Sequence, residues 1–128
     1  MYSTSCKLED FHKDSISFFK NKKVIVTGGT GFIGSHLVEQ LVLLQAKPII
    51  FSKSLNKKFL ASCEKNIEIL EVDLFEKNKI IKAMKNTDIV LHLSASVAGI
   101  EYNSKHPATI FKDNLEMFMN TIDSAAKS

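Results

Sequence analysis

The chain has 128 residues, a formal net charge of +3, 45% hydrophobic and 24% charged residues. That is enough for one domain with a real core but not for two, and no apolar run approaches the length of a membrane helix. All 17 basic residues are lysines, scattered along the chain; with no arginine fork to read guanine or phosphate, nucleic-acid binding is disfavoured.

Residues 1–22 read as a polar extension in which Leu8, Phe11, Phe18 and Phe19 are spaced for a short amphipathic helix; a partly ordered leader is the alternative. It lacks the continuous apolar stretch of a signal peptide. Cys6 and Cys63 have neither metal nor redox spacing, so reduced thiols and a cytoplasmic location are expected. The first strand is expected at Lys23–Thr27. A glycine-rich turn follows, and then a helix from Phe32 to Leu44 with Ile33, Leu37, Val38, Leu41 and Leu44 at helical spacing. Pro48–Ser52 reads as strand two, and SLNKKFLASCEK as a loop or short helix. Strand three is expected at Ile67–Val72, a helix at Glu76–Lys85 and strand four at Asp88–Ser94. DIVLHLS is a continuous apolar run, as in a parallel strand buried on both faces. A loop over Ala95–His106 then leads to a last helix from Pro107 toward Ala126. The alternation predicts an α/β fold, a partial Rossmann arrangement over 23–128: about four parallel strands in the order 3-2-1-4 with helices on both faces.

The string VIVTGGTGFIGS carries the chemistry. A strand delivers the chain to glycines at 28, 29, 31 and 34, and a helix leaves from them. Such a turn lets backbone approach a pyrophosphate, while the helix N-terminus offers free N–H groups and the positive end of its dipole. A P-loop is excluded, because Gly34 is followed by Ser35 and His36 rather than by Lys and Ser or Thr.

The spacing TGGTGFIG resembles the TGxxGFIG fingerprint of the extended short-chain dehydrogenases, the family of NAD(P)-dependent nucleotide-sugar epimerases, dehydratases and reductases. VDLFEKNKIIKAMKNTDIVLHLSA resembles that family's third strand, helix and fourth strand, and DNLEMFMNTIDSAAK its next helix. Within it, VAGIEYNSKHPATIFKDNL is most similar to the GDP-fucose synthase and GDP-mannose epimerase branch. The resemblance implies that Gly28, Gly31, Phe32 and Ile33 line the pyrophosphate, with Thr30 in the same turn, and that Gly34 lets the helix pack on the sheet. It implies that Asp73 and Leu74 contact adenine, and that Leu93, Ser94 and Ala95 line the nicotinamide ribose. A helix-capping role is the rival for Asp73. At the end of strand two stand Ser52, Lys53 and Ser54, with no acid to hold a ribose 2′-hydroxyl; Lys53, with Lys57 and Lys58 nearby, favours NADP over NAD.

The resemblance also shows what these 128 residues do not contain. Family members work through a Tyr-x-x-x-Lys pair, yet Cys6 follows Tyr2 by four residues and His106 follows Tyr102 by four. No catalytic residue and no metal-ligand set is assigned. His92, inside a strand, reads as a core residue. The expectation is the cofactor-binding N-terminal half of such an enzyme, truncated or split, inactive alone, and acting on a nucleotide sugar only if the other half is supplied. The alternative is a non-catalytic dinucleotide-binding or interaction module. In the last helix Phe111, Leu115, Phe118, Ile122 and Ala125 form a 4-3-4-3 stripe, widened by Met117 and Met119. Core packing is the first reading of that stripe; a homodimer contact, or a dock for a C-terminal half, is the second.

Overall fold

The computed structural model describes residues 6–56 and 58–128. Tyr2 and Lys57 lie outside the described residues. The elements follow the expected order: α1 Lys13–Phe19, β1 Lys23–Thr27, α2 Phe32–Leu43, β2 Lys47–Ser52, β3 Glu68–Glu71, α3 Lys77–Ala83, β4 Ile89–His92, α4 Ile100–Lys105 and α5 Pro107–Ala125. The lysine-rich segment after β2 holds turns and a single 3-10 turn at Glu64–Asn66.

The four strands form one parallel sheet in the order β3-β2-β1-β4. Ile25 lies opposite Ile49 on one side and Val90 on the other, so β1 is central and apolar on both faces. Alternate residues feed two cores, as the period of two in a strand requires. Ile25, Ile49 and Phe51 pack with Ile80 and Met84 of the α3 region and Met117 of α5. Val24, Val26 and Ile50 pack with Val38 and Leu41 of α2 and with Leu60 and Cys63. Phe51 and Ile50 are almost completely enclosed; each such side chain contributes about 1.5–3 kcal/mol by leaving water. Of the N-terminal extension, Phe19 packs against the α2-side core, whereas Phe18 is exposed.

Four sequence expectations are corrected. β4 lies at an edge of the sheet, as the expected order requires, but all four of its residues are half-buried rather than enclosed on both faces. His92 is accordingly half-buried as well, and its ring is hydrogen-bonded instead of sealed in the core. The expected loop over 95–106 contains α4. This helix starts at Gly99 and is supported by a Lys105–Glu101 ion pair at 2.6 Å and by the Ser104 hydroxyl donating to the Ile100 carbonyl. Of the apolar stripe of α5 and the methionines that widen it, Ala125 and Met117 pack on the core and the rest does not. Phe111 is 70% exposed, and Leu115, Phe118 and Ile122 are each close to half exposed. The buried face is instead Met117, Thr121 and Ser124. Their hydroxyls return to their own helix, Thr121 donating to the Met117 carbonyl and Ser124 to that of Asn120.

Among the described residues, three turns place a non-glycine residue in the left-handed region: Asn21 before β1, Gln45 before β2 and Asn86 before β4, with φ of 62°, 61° and 58°. All three lie at the N-terminal ends of strands, away from the glycine turn.

Candidate functional site

Where β1 ends, its neighbours β2 and β4 connect onward in opposite directions, which opens a crevice at the carboxyl ends of the strands. Gly28 forms its floor. Its φ is +70°, and a Cβ added there would meet the Ser94 nitrogen at 2.9 Å and the Leu93 carbonyl carbon at 3.0 Å. Both the conformation and the close approach to the chain after β4 therefore demand glycine. Gly34 serves the other side of the turn: an added Cβ would fall 2.1 Å from the Gly28 carbonyl oxygen, so α2 can lie on the turn only without a side chain there. Gly31 is the N-cap of α2, no side chain caps it, and the first turn carries no acid. The amides opening this helix are thus left for an anion.

The crevice has a volume of about 480 Å³. Gly28, Thr30 and Gly31 line it from the turn, Ser52 and Lys53 from the end of β2, and Leu74 from the end of β3. Leu93, Ser94 and Ala95 line it from the chain after β4. Nine of the thirteen residues singled out in the sequence thus share one cavity. Phe32, Ile33, Gly34 and Asp73 are outside its lining; Phe32 and Ile33 stand at the helix start, 67% and 72% exposed. Phe51, Val72, Phe75, Ser96, Val97 and Met117 also line the cavity without having been expected there. Phe51 and Val72 sit at the carboxyl ends of β2 and β3, where ligands of open α/β sheets lie, so their position was a usable signal. Met117 carried none beyond its place in an apolar helix.

The walls are held by a compact set of bonds. Thr27, fully buried at the end of β1, accepts the backbone N–H groups of Leu93 and Ser94 on Oγ1 at 3.1 and 3.2 Å. The same oxygen lies 2.9 Å from His92 Nδ1. The Thr30 and Ser52 hydroxyls are 3.3 Å apart across the crevice. Asn114 of α5 holds Ser96 at both backbone groups.

Asp73 does not cap α3. Its Oδ1 accepts the Phe75 N–H at 3.0 Å, and its Oδ2 pairs with Lys53 Nζ at 3.2 Å. The Lys53 ammonium also lies 5.0 Å from the Phe75 ring centre. Lys53 and Asp73 share a shallow depression with Glu71, Glu76 and Lys79. Three acids there face two lysines, so the positive charge of Lys53 is compensated by its surroundings.

Tyr102 stacks on His106 at 4.4 Å between ring centres, and Lys105 is paired with Glu101. Burial, and secondarily the Glu39 carboxylate, push the Cys63 thiol above its ordinary range. Among the described residues no cluster of His, Cys, Asp and Glu could hold a metal ion, and no helix is long and apolar enough to cross a membrane.

This fold and this glycine turn define a Rossmann-like arrangement. The model of the NAD dependent epimerase/dehydratase family matches residues 24–128, and the chain belongs to that family. It is 29% identical over 109 residues to the UDP-N-acetyl-alpha-D-glucosaminuronate decarboxylase of Bacillus cytotoxicus, an alignment spanning 83% of this chain and 33% of the relative. It is 32% identical over 118 residues to the dTDP-D-glucose 4,6-dehydratase of Dictyostelium discoideum, covering 79% of this chain and 24% of that protein. Among solved structures, Pen from Bacillus thuringiensis superposes with a TM-score of 0.73 at 31% identity, over 86% of this chain and 35% of the other. The epimerase Mth375 from Methanothermobacter thermautotrophicus does so with 0.74 at 26% identity, over 88% and 34%. The chain thus spans about a quarter to a third of the length of these relatives.

Proposed function

We propose that the crevice above the glycine turn is a dinucleotide site and that these 128 residues are the cofactor-binding half of an enzyme that modifies a nucleotide sugar. The observation that carries this reading is the contact of Gly28 and Gly34 beside the uncapped start of α2. A Cβ at either glycine would collide with backbone, and no side chain caps the helix start beside them. The residues fit the group: Gly28, Thr30, Gly31, Phe32 and Ile33 would hold the pyrophosphate, Asp73 and Leu74 the adenine end, and Leu93, Ser94 and Ala95 the nicotinamide ribose. A bound nicotinamide supplies a hydride donor or acceptor. The chain's own residues bind and orient it, and Phe51, Val72 and Met117 add apolar surface to the cavity wall.

Of the two cofactors we favour NADP, because Ser52, Lys53 and Ser54 end β2 without an acid; the Lys53–Asp73 pair would have to open for a 2′-phosphate. The relatives act, by their names, on UDP- and dTDP-sugars. The segment VAGIEYNSKHPATIFKDNL supports the GDP-sugar branch instead, so the reading names a nucleotide sugar without fixing its base. With no Tyr-x-x-x-Lys among the 128 residues, the chain by itself turns over no sugar. The reading includes a cytoplasmic location, supported by two unpaired cysteines. Titration calorimetry of the 128-residue chain with NADP and NAD tests it. Binding of both, NADP more tightly and with no turnover of UDP-, dTDP- or GDP-sugars, is expected; absence of binding overturns it.

The exposed stripe of α5 favours a second, compatible reading: an interaction module in which Phe111, Leu115, Phe118 and Ile122 meet a second copy or a separately made C-terminal half. Sedimentation velocity across a concentration series separates a self-associating chain from a monomer.

A further inference from the structure

The Thr27 hydroxyl has one proton to give and two lone pairs to receive with. Two backbone amides, those of Leu93 and Ser94, point at Oγ1 and take the lone pairs. The proton is left for His92 Nδ1 at 2.9 Å. That assigns the imidazole: Nδ1 accepts, and the ring is neutral with its proton on Nε2. We propose that His92 is a positioning residue. In its neutral form it accepts the Thr27 hydroxyl and so holds the Leu93–Ser94 backbone against the glycine turn; on taking a second proton it releases that backbone.

The geometry gives the consequence. A doubly protonated ring would direct an N–H at Oγ1 and present three donors to an oxygen with two lone pairs, while the hydroxyl proton lost its acceptor. The Leu93 N–H can fall back on the Thr27 carbonyl at 3.2 Å. Thr27 itself is fully buried, so a stranded hydroxyl proton finds no water in place. The segment released is the one whose Ser94 nitrogen lies 2.9 Å from the point a Gly28 Cβ would occupy. Among the described residues the ring meets Thr27 from β1 and Phe118 from α5, the latter 5.9 Å away between ring centres. Neither ionises, and no charged side chain offsets the burial that holds the imidazole below the ordinary histidine range.

The effect on binding rests on the dinucleotide reading; the latch itself does not. Hydrogen exchange in the free 128-residue chain therefore reads the latch alone. Between about pH 8 and about pH 5 the protection factors of Leu93 and Ser94 should fall about tenfold in the wild type. They should stay level in His92→Asn, whose Oδ1 replaces Nδ1 as acceptor and does not titrate. Thr27→Ser should behave as wild type and Thr27→Val should lack the protection at every pH, with thermal unfolding confirming that each variant is folded. An equal fall in wild type and His92→Asn, or no fall in either, overturns the inference. NADP affinity over the same range should weaken about tenfold in the wild type alone. A chain that binds no dinucleotide at about pH 8 yet shows the exchange pattern refutes the dinucleotide reading and leaves the latch standing.

Discussion

Asn114 grips Ser96 from α5 by both halves of its amide: Oδ1 accepts the Ser96 N–H at 2.6 Å, and Nδ2 donates to the Ser96 carbonyl at 3.1 Å. Eighteen residues apart in sequence, the two fix the far wall of the crevice to the helix that covers it. Asn114→Ala removes both bonds and leaves Ser96 to find other partners in a half-buried place. A loss of about 1–3 kcal/mol is expected from urea denaturation, since each buried bond is worth about one. Asn114→Asp keeps the acceptor and loses the donor, so its cost should fall between Ala and wild type.

The glycine turn separates folding from binding. Gly34→Ala drives a Cβ to 2.1 Å from the Gly28 carbonyl oxygen and to 2.8 Å from the Gly29 Cα, both unyielding backbone. It should cost more than about 3 kcal/mol, beyond ordinary overpacking, and abolish a cooperative thermal transition. Gly31→Ala meets only the Gly28 oxygen at 3.3 Å, in a backbone conformation open to any residue. That variant should fold with its transition nearly unchanged and bind the dinucleotide more weakly, as calorimetry would show.

On the proposed dinucleotide reading, cofactor choice should turn on the Lys53–Asp73 pair. Asp73→Asn removes the carboxylate that holds the Lys53 ammonium at 3.2 Å. The freed charge should shift the NADP-to-NAD affinity ratio toward NADP, whereas Lys53→Ala should shift it toward NAD. Both groups are partly exposed, so the changes are worth about 1 kcal/mol or less, a few-fold in the measured ratio. An unmoved ratio in both variants would place the discriminating contact elsewhere.

The α5 stripe should be silent in folding and audible in association. Phe111→Lys at a 70% exposed position should change stability by less than about 0.5 kcal/mol. Sedimentation velocity should show less self-association than in the wild type if a second copy meets this face.

Asp88 gives an acid limb to stability. It accepts the Lys23 N–H at 2.8 Å and pairs with Lys22 at 3.2 Å. The backbone bond first, and Lys22 second, hold its carboxyl below the ordinary aspartate value of 3.8. The folded state favours the charged form, so the contribution is complete above that value and is lost as pH falls through the lower folded one. Asp88→Asn should be less stable than wild type at neutral pH, with the gap closing in strong acid when unfolding is followed by circular dichroism.

Much of this architecture was legible in the chain. VIVTG and DIVLHLS announced parallel strands because apolar runs of that length suit a sheet covered on both sides, and the glycine spacing located the turn between β1 and α2. The orientation of α5 was not legible. A search for apolar periodicity counts Thr121 and Ser124 as polar, yet their hydroxyls bond the carbonyls four residues back and leave surfaces small enough to pack. The exposed phenylalanines scored as core in their place. α4 was missed because IEYNSK has no apolar stripe, and its support is an ion pair and a hydroxyl bond. Asp73 lay where a helix cap would, and only the fold brings Lys53 from the end of β2 to meet it.

The three left-handed turns bear on how far the chain can be hardened. Asn tolerates that conformation through its short polar side chain, but Gln45 has no such local bond to offer and pays the steric cost of a Cβ at φ 61°. Gln45→Gly should therefore raise the melting temperature, with about 1 kcal/mol of relief set against the extra freedom glycine brings to the unfolded chain. Because Gln45 precedes β2 at the end of the sheet remote from the crevice, that gain is available without touching a residue that would hold a ligand. Thermostability and ligand binding can thus be engineered separately in this chain.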